Sequence, residues 1–73
     1  MMSNDTIKYI LSRVLDNAND TKKELEQNKD DDFLKGKRLA YYEVLDTIKS
    51  ELEAHEQDLK ELGLDIDLEK EYL

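Results

Sequence analysis

The chain has 73 residues, of which 41% are charged and 38% hydrophobic, so it has room for one domain with a small core, spanning residues 1–73. It contains no cysteine, which excludes disulfides and thiolate-bound metals and fits a reducing cytoplasm. Its net charge of −8 disfavours direct contact with nucleic-acid backbones, because residues 43–73 carry eleven acidic and three basic side chains.

Neither a signal peptide nor a membrane-spanning segment is expected. A signal peptide needs a basic start followed by roughly 7–15 apolar residues, and residues 1–6 offer neither. A membrane-spanning helix needs about 18 uninterrupted apolar residues, and no segment approaches that length. We therefore expect a cytoplasmic protein that does not enter a membrane.

A first helix is predicted over about residues 5–28, because apolar side chains recur there at spacings of three and four. Ser3, Asn4 and Asp5 lie at its start, and their side-chain oxygens suit the free amide hydrogens of a first turn. The polar segment 28–32 is predicted as a turn, in which an aspartate caps the next helix. The apolar stripe of this helix comprises Ile7, Leu11, Val14, Ala18, Thr21 and Leu25.

A second helix is predicted over about residues 33–62. Gly36 falls in its first turn, where it costs about 1 kcal/mol relative to alanine without ending the helix. Gly63 is expected to end it by taking a left-handed conformation, so that Leu64 packs back on the last turn. Residues 65–73 are predicted to form a short third helix or an ordered arm. The stripe of the second helix comprises Leu34, Arg38, Tyr41, Leu45, Ile48, Leu52, His55, Leu59 and Leu62.

The two stripes pair as an antiparallel hairpin when a short turn joins them, which matches Leu25 with Leu34 and Ile7 with Leu52. The second helix is then longer by about 10 Å, at roughly 1.5 Å per residue, and its apolar end overhangs. Either residues 64–73 or a second chain must cover this overhang, and the width of both stripes is typical of a four-helix bundle. The predicted fold is therefore all-α, a helical hairpin that forms a homodimer. The predicted interface residues are Tyr42, His55, Leu59, Leu62, Leu64 and Ile66.

No catalytic, metal or cofactor site is predicted. His55 is the only histidine, with Glu51 and Glu56 near it, and this group supplies too few ligands for a zinc site. The acidic residues within 65–69 match the oxygen spacing that begins a calcium loop, but Lys70 stands where that loop requires glycine. Nothing in the sequence places a nucleophile beside a base, so no enzyme activity is expected.

One basic cluster, formed by Lys35, Lys37 and Arg38, lies next to Tyr41 and Tyr42, a composition that also occurs in small nucleic-acid patches. On a helix these cations spread around the axis, and they lie close to three consecutive aspartates. Local charge balance is therefore the preferred interpretation, and direct nucleic-acid binding is not expected.

The predicted function is that of a small interaction module, a regulatory or accessory protein whose unknown protein partner contacts the acidic second half. The alternative is an inhibitor that imitates nucleic acid and occupies the binding site of a basic DNA- or RNA-binding protein. In that hypothesis a set of carboxylates stands in for phosphates. The set comprises Glu43, Asp46, Glu51, Glu53, Glu56, Asp58 and Glu61.

Overall fold

A computed structural model of the chain describes residues 4–73, apart from the side chain of Asn4. Over this range it contains the helices α1 (Asn4–Gln27), α2 (Asp32–Ala54) and α3 (Leu68–Tyr72), and no strand. The predicted all-helical class, with two long helices and a short third, is confirmed. The cap predicted at Ser3 lies outside the described residues, and Asp5 lies in the first turn of α1.

The turn between α1 and α2 is closed by hydrogen bonds from its own residues. The amide of Asn28 donates to the carbonyl oxygen of Leu25 at 3.1 Å, and the amide of Asp31 donates to that of Asn28 at 2.9 Å. Asp31 then caps α2, because its Oδ1 accepts a hydrogen bond from the amide of Leu34 at 3.1 Å. The prediction that an aspartate caps the second helix is confirmed.

The stripes predicted along α1 and α2 are buried in part: five apolar residues and one threonine are buried, the other stripe residues of the two helices are half-buried, and His55 is exposed. Thr21 is the one buried polar residue in the described chain, and its hydroxyl donates to the carbonyl oxygen of Asn17 at 3.0 Å. A buried hydroxyl with a partner carries little desolvation cost, so this residue suits the core. The buried apolar residues of the two stripes are Leu11, Ala18, Leu25, Leu34 and Leu45.

The predicted end of the second helix at residue 62 is wrong, because α2 ends at Ala54. Glu56 takes a left-handed conformation with φ of 57°. Its amide donates to the carbonyl oxygen of Glu53 at 3.0 Å, and the amide of Gln57 donates to that of Leu52 at 2.9 Å. This is the hydrogen-bond pattern of a Schellman motif, which terminates a helix.

A second Schellman motif follows at the position where the sequence predicted a stop. Gly63 has φ of 78°, its amide donates to the carbonyl oxygen of Lys60 at 3.2 Å, and the amide of Leu64 donates to that of Leu59 at 2.8 Å. The left-handed glycine is therefore confirmed. What it ends is a separate turn that begins at Asp58, whose Oδ1 accepts hydrogen bonds from two following amides at 3.1 and 3.2 Å.

Residues 55–73, here called the tail, fold back on their own hairpin. Leu64 is fully buried, and it shares one core cluster with Leu11 of α1 and Leu45 of α2. The hydroxyl of Tyr72 donates to Oδ1 of Asn19 at 2.7 Å. Of the two alternatives predicted for the apolar overhang, coverage by residues 64–73 or by a second chain, the structure shows the first, since these residues pack on their own hairpin. The other buried tail residues are Leu62, Leu68 and Tyr72.

The two left-handed positions give a prediction about stability. Replacing Glu56 by glycine should stabilise the chain by about 1 kcal/mol, because a side chain in the left-handed region costs roughly that amount. Gly63→Ala should destabilise it by a similar amount. As the matched control, Gly36→Ala should stabilise by about 0.5–1 kcal/mol, since Gly36 is helical and has open space around it. Urea unfolding of the three variants measures these changes, and a stabilising Gly63→Ala would contradict the assignment.

Tyr72 gives a prediction about pH. Burial raises the pKa of its phenol, and Glu71 adds to the rise while Lys22 opposes it. Because the folded-state pKa lies above the unfolded value of about 10, the stabilisation is complete below pH 10 and is lost as pH rises above it. Tyr72→Phe should cost about 1 kcal/mol at neutral pH through the lost hydrogen bond, and this difference should shrink above pH 10.

Urea unfolding between pH 7 and 11 measures the difference between the wild type and Tyr72→Phe. Tyr9→Phe is the control, because Tyr9 is 65% exposed and its replacement should change stability by less than about 0.5 kcal/mol. A difference for Tyr72→Phe that stays constant over this pH range would contradict the link between its burial and its ionisation.

Candidate functional site

The residues predicted as an interface lie in different environments. Leu62 and Leu64 are buried within the chain, and Tyr42, Leu59 and Ile66 are half-buried against the core. The exposed overhang from which this interface was predicted does not exist, because α2 ends before it. An interface role for the half-buried residues stays a prediction.

His55 lies at the C-terminal end of α2 with its side chain 75% exposed. Its Nε2 atom is 3.8 Å from Oε2 of Glu51, one helical turn earlier. Within the described part of the chain, no group of three or more histidine, cysteine, aspartate or glutamate side chains is arranged to hold a metal ion. The geometry at His55 is that of a loose contact between two exposed side chains, which contributes little to stability.

The face of the hairpin opposite the tail carries a groove, here called the open groove, with a volume of about 460 Å³. The tail contacts Asn19 of α1, whereas Asn17 lines the groove. Because two residues advance a helix by about 200°, these side chains point to nearly opposite sides of α1, and the groove therefore lies on the side away from the tail. Val44 in the groove is 49% exposed, and the neighbouring Ile10 is 43% exposed. The periodicity of the sequence indicated that the apolar stripes of both long helices are wide. It did not indicate which face of the hairpin the tail leaves uncovered. The groove is lined by Val14, Asn17, Lys37, Ala40, Tyr41 and Val44.

The tail and α2 enclose a second hollow, here called the acidic concavity, of about 520 Å³. Five carboxylates line it against one cation, Lys49, whose Nζ donates to the carbonyl oxygen of Ile66 at 2.6 Å. Desolvation raises the pKa of Tyr42 at its edge, and the charges of nearby carboxylates add to the rise. The hydroxyl of Tyr42 therefore stays protonated at neutral pH. The five carboxylates belong to Asp46, Glu53, Asp65, Asp67 and Glu69.

A third hollow, here called the basic pocket, lies at the turn end of the hairpin and has a volume of about 390 Å³. Glu71 forms an ion pair with Lys22 at 3.0 Å, and the Nζ atom of Lys22 lies 5.8 Å from the centre of the Tyr72 ring. Leu25 and Leu73 add apolar walls, and Glu26 adds a second carboxylate. Its cations are Lys22, Lys29, Lys35, Arg38 and Lys70.

The structure divides the basic cluster that the sequence singled out. Lys35 and Arg38 line the basic pocket, whereas Lys37 lines the open groove on the other side of α2. The aromatic neighbour of the pocket is Tyr72 from the tail, and Tyr42 lies in the acidic concavity instead. The sequence did not predict the pocket because its cations come from three helices and a turn, and Lys70 lies far from the others along the chain.

No helix among residues 4–73 has the length and apolar character required to cross a membrane. No family model matches the chain, and it has no significant match among curated proteins or solved structures. The described chain presents three distinct surfaces: a mostly uncharged groove, an acidic concavity and a basic pocket.

Proposed function

We propose that the chain is a small, non-catalytic protein-protein interaction module that forms a homodimer through the open groove. The observation that carries this proposal is the uncovered apolar surface along both long helices, on the face that the tail leaves bare. Two hairpins that join through this face would form a four-helix bundle, in which each pair of helices covers the other.

The open groove is continuous with the core, which favours its burial against a second layer of helices. Val14 and Tyr41 pack against the core cluster and also line the groove, so one side of each remains in water. Burying apolar surface stabilises an association by about 25 cal/mol per Å². A chain this short has a small core of its own, and a second layer of helices would add to it.

A second copy of the chain is the occupant that the charges favour. Each chain has a net charge of −8, so two copies repel through most of their surfaces. The groove is lined by five uncharged residues and Lys37, and it is therefore the face with the least repulsion.

The homodimer gives a prediction about mass. Light scattering on a sizing column should give twice the chain mass of 8.6 kDa. Val44→Glu should shift the protein to the monomer, because it places a carboxylate in the centre of an apolar contact. Leu39→Glu is the matched control, since Leu39 is 45% exposed on α2 but does not line the groove. It should leave the dimer intact.

Two results would contradict the dimer. The wild type could remain at 8.6 kDa up to millimolar concentration, or Val44→Glu and Leu39→Glu could weaken association equally. Circular dichroism of both variants controls for folding, because both replaced side chains are already about half exposed and the hairpin should persist in each.

The acidic concavity favours a second candidate function, that of an inhibitor that imitates nucleic acid. The predicted row of carboxylates does not follow one helix, because Glu56, Asp58 and Glu61 lie beyond the end of α2. Asp46 and Glu53 of α2 instead face the carboxylates that the tail contributes. We propose that a basic nucleic-acid-binding protein would dock on this concavity.

This second candidate function is tested by measuring the affinity of the chain for a basic partner protein that copurifies with it. The measurement is repeated at several salt concentrations and with variants that lack carboxylates of the concavity. Affinity should fall steeply as salt rises, since screened charges contribute less. Replacing Asp46 and Glu53 by their amides should weaken the complex by about tenfold. Glu43→Gln, on the same helix but outside the concavity, should change the affinity by less than about twofold. A flat salt profile would rule out mimicry.

A further inference from the structure

The basic pocket concentrates positive charge in an otherwise acidic protein. It holds five of the eleven cationic side chains and two side-chain carboxylates, a local side-chain charge of +3 in a chain whose side chains sum to −8. The pocket lies where the last turn of α1, the first turns of α2 and the end of α3 meet. Cations that line the same pocket repel one another, so their convergence favours a group that compensates their charge.

The described chain does not supply that group in full. Lys22 forms an ion pair with Glu71. Within residues 4–73, Lys29, Lys35 and Lys70 form no ion pair. The Nε atom of Arg38 is buried and has no hydrogen-bond partner among the same residues. A buried guanidinium nitrogen without a partner is unfavourable unless a ligand accepts its hydrogen.

Neutralisation of helix ends explains only some of these cations. A cation near the last turn of α1 is favoured by the negative end of the helix dipole, which accounts for Lys29. Lys35 lies near the first turn of α2, where the dipole disfavours a cation. The aspartates at residues 30–32 do not line the pocket, so they do not balance its charge from within.

We propose that the basic pocket binds a compact anion with several negative charges, namely a small molecule that carries phosphate groups. The planar guanidinium of Arg38 offers paired donors that match the oxygen spacing of phosphate, and the lysines add point charges. A local charge of +3 suits a multivalent anion. The volume of about 390 Å³ lies within the roughly 300–1,000 Å³ of small-molecule sites.

The charge outside the pocket sets the size of the ligand. Residues 43–73 carry eleven acidic and three basic side chains, so a long polyanion that extends from the pocket meets repulsion. A compact ligand keeps all its phosphates among the five cations. The apolar side chains of Leu25 and Leu73 and the ring of Tyr72 form walls that suit an uncharged part of the same molecule.

This proposal goes beyond the proposed dimer and is independent of it. None of the residues that line the basic pocket lines the open groove. The variant Val44→Glu, which tests the dimer, should therefore bind the anion as the wild type does. Anion binding without dimerisation would contradict only the proposed dimer, and dimerisation without anion binding would contradict only the proposed anion site.

The experiment titrates inorganic tripolyphosphate into the isotope-labelled full chain at low salt and follows the backbone amides by NMR. The amides near residues 22–38 and 70–73 should shift with saturation. Arg38→Gln should raise the dissociation constant by about tenfold, as expected for loss of a charge-assisted hydrogen bond. Lys37→Gln is the matched control: it removes the same charge one residue away, on the open groove, and should change the constant by less than about twofold.

Two further variants sharpen the assignment. Lys35→Gln changes an exposed side chain of the same pocket and should weaken binding even if Arg38→Gln disturbs the fold. Arg38→Lys keeps the charge but removes the paired donors, so it should bind with a constant between those of the wild type and Arg38→Gln.

Three outcomes would overturn the proposal. The amides near the pocket could fail to shift at millimolar tripolyphosphate, or Lys37→Gln could weaken binding as much as Arg38→Gln. Citrate could bind more tightly than tripolyphosphate, which would overturn the assignment of a phosphate ligand. A single-stranded oligonucleotide could bind more tightly than tripolyphosphate, which would overturn the assignment of a compact ligand.

Discussion

The reversal of the chain at Glu56 determines most of the architecture. Its left-handed conformation and the two hydrogen bonds of the Schellman motif stop α2 at Ala54. If α2 had continued for another two turns, Leu59 and Leu62 would have extended beyond the start of α1. Because the chain turns instead, the tail reaches back along the hairpin, and Leu64 becomes fully buried between residues of both long helices.

The same reversal makes the two faces of the hairpin different. The tail covers one face and brings its own carboxylates next to those of α2, which creates the acidic concavity. Its last turn carries Lys70 and Glu71 to the turn end of the hairpin, where they complete the basic pocket. The opposite face receives no third layer and keeps its apolar side chains in water. The reversal at Glu56 thus places the acidic concavity and the basic pocket away from the mostly uncharged groove.

The sequence predicted features that depend on local periodicity and capping. The two long helices, the cap at Asp31 and the left-handed Gly63 each follow from residues within one or two turns. The end of α2 was missed because glutamate seldom takes a positive φ. A signal was nevertheless present, since Asp58 followed three residues later by glutamate is typical of a new helical start. The three surfaces depend on tertiary contacts, and no local pattern predicts which charges those contacts bring together.

Net charge limits how such a molecule associates with copies of itself. Charges separated by more than about 8–10 Å are largely screened at physiological salt, so the repulsion between two chains depends mainly on the groups near their contact. A groove with one lysine and five uncharged residues keeps carboxylates away from that contact. The basic pocket lies off this face, and a bound anion would therefore add negative charge outside the contact. In the proposed dimer, apolar burial and anion binding thus use separate parts of one small hairpin.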